Sequence, residues 1–352
     1  MKPINTLLAL LLIGSFATTQ AQQTQFNQVI WMNGKAICAN PVTSIDSLTY
    51  DDNLQMDTLY TLLPRAIMRV KHDTIFQKDT VFLRDTVYIR TCDEDSRRIG
   101  RFSVSADKQV AFSAGNLQYK ASSRTWRFAR HQYDIISTEN TYISATYTGW
   151  IDLFGWGTGN NPTNTSSDYS EYTTFVDWGT NTIGEDTPNT WRTLSKAEWK
   201  YIFFDRPDAA KRFGWGTIDG VSGIIILPDT WTQPENITFA SCFARGLSYK
   251  NGWYVDENAT NNHYTDNSYS VAEWKLMEQA GAVFLPAAGF RVNGSIQKVD
   301  EEGRYWSCTN SDKDDYYAGV VSFYEIVLGQ GDLLLNGGFS VRLVCDVSPI
   351  GH

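Results

Sequence analysis

The sequence predicts an α+β fold in which short antiparallel strands outnumber two helices, preceded by a β hairpin and an extended repeat. Three observations carry this. The module Ser195-Lys-Ala-Glu198-Trp199-Lys200 recurs as Ser270-Val-Ala-Glu273-Trp274-Lys275, and each copy runs into an apolar strand ending in Leu-Pro, at Leu227-Pro228 and Leu285-Pro286. A six-residue unit repeats three times between Asp73 and Arg90. From Ile99 to Val347, short aromatic runs alternate with turn residues.

Taken in order, residues 1–21 read as a secretory leader: Lys2 is the basic flank, Leu7 to Phe16 the apolar core, and Thr19-Gln20-Ala21 the small-residue cleavage site. The apolar run is about ten residues, half of what a membrane-spanning helix needs, and no comparable run follows. The sequence therefore predicts an exported, soluble chain with no membrane span, in the periplasm, at the cell surface or outside the cell.

A small β element is expected over 22–64. Within it Val29-Ile-Trp-Met32, Asn33-Gly34 and Lys35-Ala-Ile-Cys38 form a hairpin signal, because Asn-Gly accepts the positive φ angles of a type I′ turn. The segment 65–98 is expected to be a stalk. Its hexads Asp73-Thr-Ile-Phe-Gln-Lys78, Asp79-Thr-Val-Phe-Leu-Arg84 and Asp85-Thr-Val-Tyr-Ile-Arg90 keep one face in register only at the strand period of two. Extended, they would reach about 60 Å at roughly 3.3 Å per residue. Asp-Ser/Thr-aliphatic triplets place Ser47, Thr58, Thr74, Thr80 and Thr86 in a pattern that resembles the acceptor motif of a bacterial periplasmic O-glycosylation system. Sugar there would shield the apolar repeat; alternatively, the triplets recur simply because the repeat does.

The charged run Cys92-Asp-Glu-Asp-Ser-Arg-Arg98 marks a hinge, and 99–352 is expected to form one domain. Strands are expected at Gly100 to Ser105, Gln109 to Ser113, Asn116 to Lys120 and Trp126 to Ala129. Ser195 and Ser270 each stand three residues before a Glu, the spacing at which serine caps a helix and the glutamate reaches back to the cap. Trp199, Ile202 and Phe203 share one face of the first helix, Trp274 and Met277 one face of the second, and Gly281 suits the left-handed position that ends it.

Composition narrows the function. The 352 residues, 42% hydrophobic, suffice for a core, and a formal charge of −9 repels phosphate backbones, which argues against nucleic acid. Five cysteines, Cys38, Cys92, Cys242, Cys308 and Cys345, are an odd number, so a disulfide framework is not what holds the chain together. Cys308 with Cys345 is the pair to expect if one forms; small buried thiols are the alternative. The four histidines stand in no metal-binding spacing, and neither a nucleophile elbow nor a phosphate-cradling glycine loop is present. Glu171, Glu185 and Asp186 read as acidic loop residues, with a carboxylate pair for glycoside hydrolysis as the alternative. The 12 Trp and 18 Tyr exceed what a core requires; Trp150, Trp156, Trp178 and Trp215 are expected to plug loops, leaving others exposed for recognition.

Trp191-Arg-Thr-Leu-Ser195-Lys-Ala-Glu198-Trp199, Arg304-Tyr-Trp-Ser307 and Gly338-Phe-Ser-Val-Arg342 resemble signature elements of formylglycine-generating-enzyme and sulfatase-modifying-factor domains. The texture from Phe102 to Asp346 is similar to non-catalytic bacterial surface proteins with that C-type-lectin-like fold. The enzymes of this family bind copper through a cysteine pair, whereas 306–315 offers Cys308 alone. The resemblance thus implies a binding protein for a glycan or an extracellular protein, without cofactor; a degenerate or unrecognised enzyme of the superfamily is the alternative. Gln233-Pro234-Glu235-Asn236 scrambles the calcium-lectin triplet, and Asp312-Lys-Asp314-Asp315 reads either as oxygen ligands for Ca²⁺ or as a solvated turn. In such a fold the variable surface would span 289–303, 309–316 and 329–337, and the implied contact residues are Arg291, Asn293, Asp312, Asp314, Tyr316 and Asn336.

Overall fold

The computed structural model describes residues 98–347 apart from 246–247, 257–261 and 313, together with the strands Asn27–Met32, Lys35–Pro41, Ala66–Met68, Phe76–Gln77, Thr80–Val81 and Ile89–Thr91. The expected leader, the hinge residues 92–97 and the candidate acceptors Ser47, Thr58, Thr74 and Thr86 lie outside the described residues. The chain divides into two units, Met1–Ser96 and Arg97–His352.

In the first unit the expected hairpin forms. Asn27–Met32 pairs antiparallel with Lys35–Pro41, and the ladder ends with Met32 opposite Lys35. The expected stalk is not confirmed: Phe76 pairs antiparallel with Val81 and Gln77 with Thr80 inside the repeat, and Ala66–Met68 pairs antiparallel with Ile89–Thr91, which takes in the last two residues of the repeat. A lone extended apolar strand leaves both of its backbone edges unpaired, and folding back satisfies one of them. A period of six marks a strand face but does not say whether successive strands run on or turn back.

The second unit is α+β, with more strand than helix. Three sheets form its frame. In the first, Arg192–Thr193, Leu343–Val347, Gln109–Ser113 and Arg98–Ser103 lie side by side, so the end of the unit is stitched to its beginning. A second orders Ser268–Tyr269, Phe213–Ile218, Val221–Ile226 and Val283–Pro286. The third orders Ser248–Lys250, Trp253–Val255, Val327–Leu334, Tyr317–Tyr324 and Glu302–Asn310.

Both helices start on the predicted serines. Helix α1, Lys196–Lys200, continues as a wide turn over Tyr201–Asp205, and α2 spans Val271–Gln279; in each, the serine oxygen accepts from the backbone N–H of the glutamate three residues on, and that glutamate accepts from the serine N–H. Gly281 takes φ +92° after α2, and Ala282 N–H reaches back to Met277 O, the bond pattern of a left-handed helix stop.

The helices cover opposite faces of the second sheet. Ile224, Ile226, Val283 and Leu285 alternate toward a core holding Trp199 of α1 and Ile202 and Phe203 of the wide turn that follows it, while Ile225 and Phe284 face a core holding Trp274 and Met277 of α2. A sheet buried on both sides explains why Ile224-Ile-Ile-Leu227 and Val283-Phe-Leu285 are unbroken apolar runs. A further core gathers Trp126, Trp156, Trp178, Trp191, Trp306 and Phe339 under the loops. Trp156 and Trp178 are buried under the loops as expected, whereas Trp215 is a core residue of the strand Phe213–Ile218 and plugs no loop; Trp150 is half-buried beneath Arg127, whose guanidinium lies 3.7 Å from its ring. No disulfide joins Cys308 to Cys345: Cys345 is buried in the first sheet and Cys308 lies in the third, so of the two expectations the thiols stand and the conditional pair does not.

Candidate functional site

The motifs behind the family resemblance are interior. Arg192 holds Glu198 with two parallel bonds of 2.9 and 2.7 Å and reaches Asp346 at 2.7 Å, locking the first helix cap to the last strand. The Tyr305 hydroxyl donates to Pro286 O at 2.9 Å and accepts from Asn116 Nδ2 at 3.1 Å, and the Trp306 indole donates to Phe154 O at 2.7 Å. Arg342 is 1% exposed and donates to Gln132 Oε1. These residues build the scaffold; the exposed chemistry lies on the loops above them.

One ribbon organises those loops. Residues 154–156 run antiparallel to 335–339, with Phe154 N–H to Phe339 O at 2.9 Å and Trp156 N–H to Leu335 O at 2.9 Å. Residues 157–159 pair in turn with 176, through Val176 N–H to Gly157 O and Gly159 N–H to Val176 O, both 3.0 Å. Glycines make this layering possible. A Cβ on Gly155 would collide with the Tyr172 ring, and one on Gly157 with the Phe175 backbone. The segment 172–177 therefore lies flat on the ribbon, and Asp177 pins it by accepting from Thr193 N–H at 2.9 Å and Thr193 Oγ1 at 3.0 Å.

At the end of the ribbon is a cleft of about 200 Å³ lined by Trp156, Gly157, Thr158, Asn160, Asn161, Asn164, Glu171, Thr174 and Val176. Glu171 is steadied by the Ser166 hydroxyl at 2.9 Å, and Asn164 Oδ1 accepts from Ser166 N–H at 3.0 Å. Beside Glu171 in the short helix Tyr169–Tyr172 stands Tyr169, whose ring lies 5.9 Å from that of Tyr316. Both rings are exposed, at 37% and 45%. Tyr316 is tied to the cleft floor through the backbone: its carbonyl accepts from Leu335 N–H, and Leu335 O accepts from Trp156 N–H. Burial pushes the Tyr172 phenol up to about 12, so beneath this rim it stays a hydrogen-bond donor, to Ser166 O at 3.1 Å.

No family model, curated protein or solved structure matches the chain.

Of the six expected contact residues, the structure brings Tyr316 and Asn336 to this end of the unit. Asn336 is half-buried and directly follows Leu335. Asp314 is exposed but works as a turn residue: Oδ1 accepts from Tyr316 N–H at 2.9 Å and its carbonyl from Tyr317 N–H at 3.1 Å, which sets the angle at which Tyr316 projects. Asp312 is an exposed loop residue, and Asn293 sits at φ +50° in the turn of the hairpin Phe290–Val292/Ser295–Gln297.

Arg291 is a correction. It is only 4% exposed, its backbone pairs both ways with Gly338, and its guanidinium lies where a Cβ on residue 338 would be. Burial pushes its pKa down, and Nε and Nη2 have no protein partner among the described residues. The paired Gly338 drew it inward, and no signal local to Arg291 announces that partner. The sequence reading also passed over Asn160, Asn161, Asn164, Tyr169 and Thr174. The amide-rich run Asn160-Asn-Pro-Thr-Asn164 was the available signal. Glu171, read as an acidic loop residue, is in the cleft wall, whereas Asp186 is committed to the Trp191 indole at 2.9 Å.

Proposed function

We propose that this chain is an exported, non-catalytic recognition protein with a C-type-lectin-like domain of the sulfatase-modifying-factor type. On this reading, the loop end around Tyr169 and Tyr316 takes a glycan or an extracellular protein. The observation that carries it is a pair of exposed tyrosine rings tied to a polar cleft, Tyr169 through the short helix it shares with Glu171 and Tyr316 through the backbone bonds that link it by Leu335 to Trp156. Large aromatic faces left in water on a rigid support are what recognition surfaces use, because they bind at small entropic cost.

The thiols support the non-catalytic half of the reading. A metal-binding or nucleophilic cysteine must be a thiolate. Burial raises the Cys308 pKa, and the Asp177 and Glu198 carboxylates raise it further; burial alone pushes Cys242 up to about 12. Both are therefore held as thiols. In the first unit, O-glycosylation at Ser47, Thr58, Thr74, Thr80 and Thr86 belongs to the same proposal, and mass beyond that of the cleaved polypeptide in protein from its native host is the expected result.

Glycan and protein arrays probed with the full chain, with and without Ca²⁺, test the reading. Binding that Tyr316→Ala weakens by tenfold or more, at an unchanged melting temperature, is expected. Retention of all binding by that variant would move the ligand face elsewhere.

A further inference from the structure

We infer that the cleft lined by Trp156 and Glu171, which share a backbone link with Tyr316 and a short helix with Tyr169, takes a neutral saccharide, one ring at a time; this rests on the recognition reading above and names its ligand class. The lining carries the argument. Asn160, Asn161 and Asn164 supply amides, which donate and accept; Thr174 supplies a hydroxyl, whereas the buried Thr158 hydroxyl is spent on Gly155 O at 2.9 Å; Glu171 supplies a carboxylate, which only accepts. Asn160 and Asn161 are exposed and spend no side-chain hydrogen bond on another described residue, so each can exchange solvent for a ligand without breaking a bond within the protein. A sugar hydroxyl both donates and accepts, and this mixture matches it.

Charge decides between classes of sugar. No lysine, arginine or histidine is among the described residues lining the cleft. A uronic or sialic acid would bring its carboxylate beside Glu171 with no cation to pair it, on a chain of net charge −9. An ammonium ligand would pair with Glu171 but leave the amides and the Thr174 hydroxyl without a role. The Tyr169–Tyr316 pair, offering two ring faces 5.9 Å apart from separate segments, is a platform for the apolar face of a pyranose. At about 200 Å³ the cleft is below the roughly 300–1,000 Å³ of sites that enclose drug-sized ligands, so it admits a single ring while the rest of a chain lies across the tyrosines.

The test uses the full chain and, by titration calorimetry, four sets of probes: neutral hexopyranosides, their oligomers, the matching uronic acids and the matching amino sugars. Neutral probes are expected to bind best and oligomers more tightly than single rings. Glu171→Gln is expected to weaken neutral probes about tenfold, the worth of a hydrogen bond to a charged group. Asn161→Ala should weaken them less, and Lys298→Ala, remote from the lining, not at all. Acidic or amino sugars binding best, or neutral binding unaffected by Glu171→Gln, overturns the inference. No saccharide bound, with a protein ligand lost in Tyr316→Ala, also overturns it while leaving the recognition reading standing. No ligand of either kind at that face sinks both.

Discussion

Asp152 has no exposed surface, and its carboxylate is held by Asn140 Nδ2 at 2.8 Å and Ile136 N–H at 2.9 Å, while Asn140 Oδ1 accepts from the Asp152 backbone. Burial raises its pKa to about 6 against an ordinary 3.8, and the three bonds only moderate the shift. The folded chain therefore keeps the proton at a pH where the unfolded chain has lost it. The stabilisation is fully present below pH 3.8 and is lost as pH rises through about 6. Between pH 7.5 and 4.5 the wild type is expected to gain on the order of 2 kcal/mol relative to Asp152→Asn. Urea denaturation of both proteins at the two pH values checks it, and parallel stabilities would refute the assignment. The residue scale is also where sequence was least legible. Arg291 reads as a surface contact yet is buried against Gly338, much farther along the chain, and the burial of Asp152 beside Asn140, twelve positions away, has no local signal either.

At the scale of elements, the two helix starts look alike in sequence and differ in their surroundings. Ser270 and Glu273 cap α2 in solvent, and the Ser270 bonds hold the Glu273 carboxyl low. Glu198 is mostly shielded. Burial raises its pKa, but the bonds from Arg192 and Ser195 outweigh that and hold it below the ordinary value, and Arg192 carries the link on to Asp346. Ser270→Ala should cost about 1 kcal/mol, the usual worth of a cap. Ser195→Ala should cost more, up to about 2 kcal/mol, because loosening Glu198 also frees a partly buried Arg192. Chemical denaturation of the two variants compares them directly, and equal costs would show that the Arg192 bridge is independent of the cap. Helices, caps and the Asn-Gly hairpin were legible because their signals lie within a few residues. Sheet order was not. The strand Leu343–Val347 finds Gln109–Ser113 from the other end of the unit, and the hexad repeat states a strand period that a hairpin satisfies as well as a stalk does.

At the scale of the whole molecule, the three cores all belong to the unit Arg97–His352. The unit begins at a strand rather than a linker: Arg98–Ser103 pairs with Gln109–Ser113, Phe102 is fully buried edge-on to Phe112 at 5.0 Å, and Asp229 accepts from Ser103 N–H, Ser103 Oγ, Gln109 Nε2 and Arg206 Nη1. Removing that strand would bare an edge of the first sheet, empty the Phe102 site at a cost of about 3–5 kcal/mol, and take two of the four donors from Asp229, leaving the buried Arg206 beside a loosened partner. That sum is comparable to the whole stability of an ordinary domain. A chain beginning at Ser96 should therefore melt in one cooperative transition that matches the corresponding transition of the full chain. One beginning at Val104 should not fold, with near-ultraviolet circular dichroism and thermal denaturation as the readouts. If the shorter chain melted cooperatively at a similar temperature, the first strand would be an ornament on the sheet and not the element that closes it.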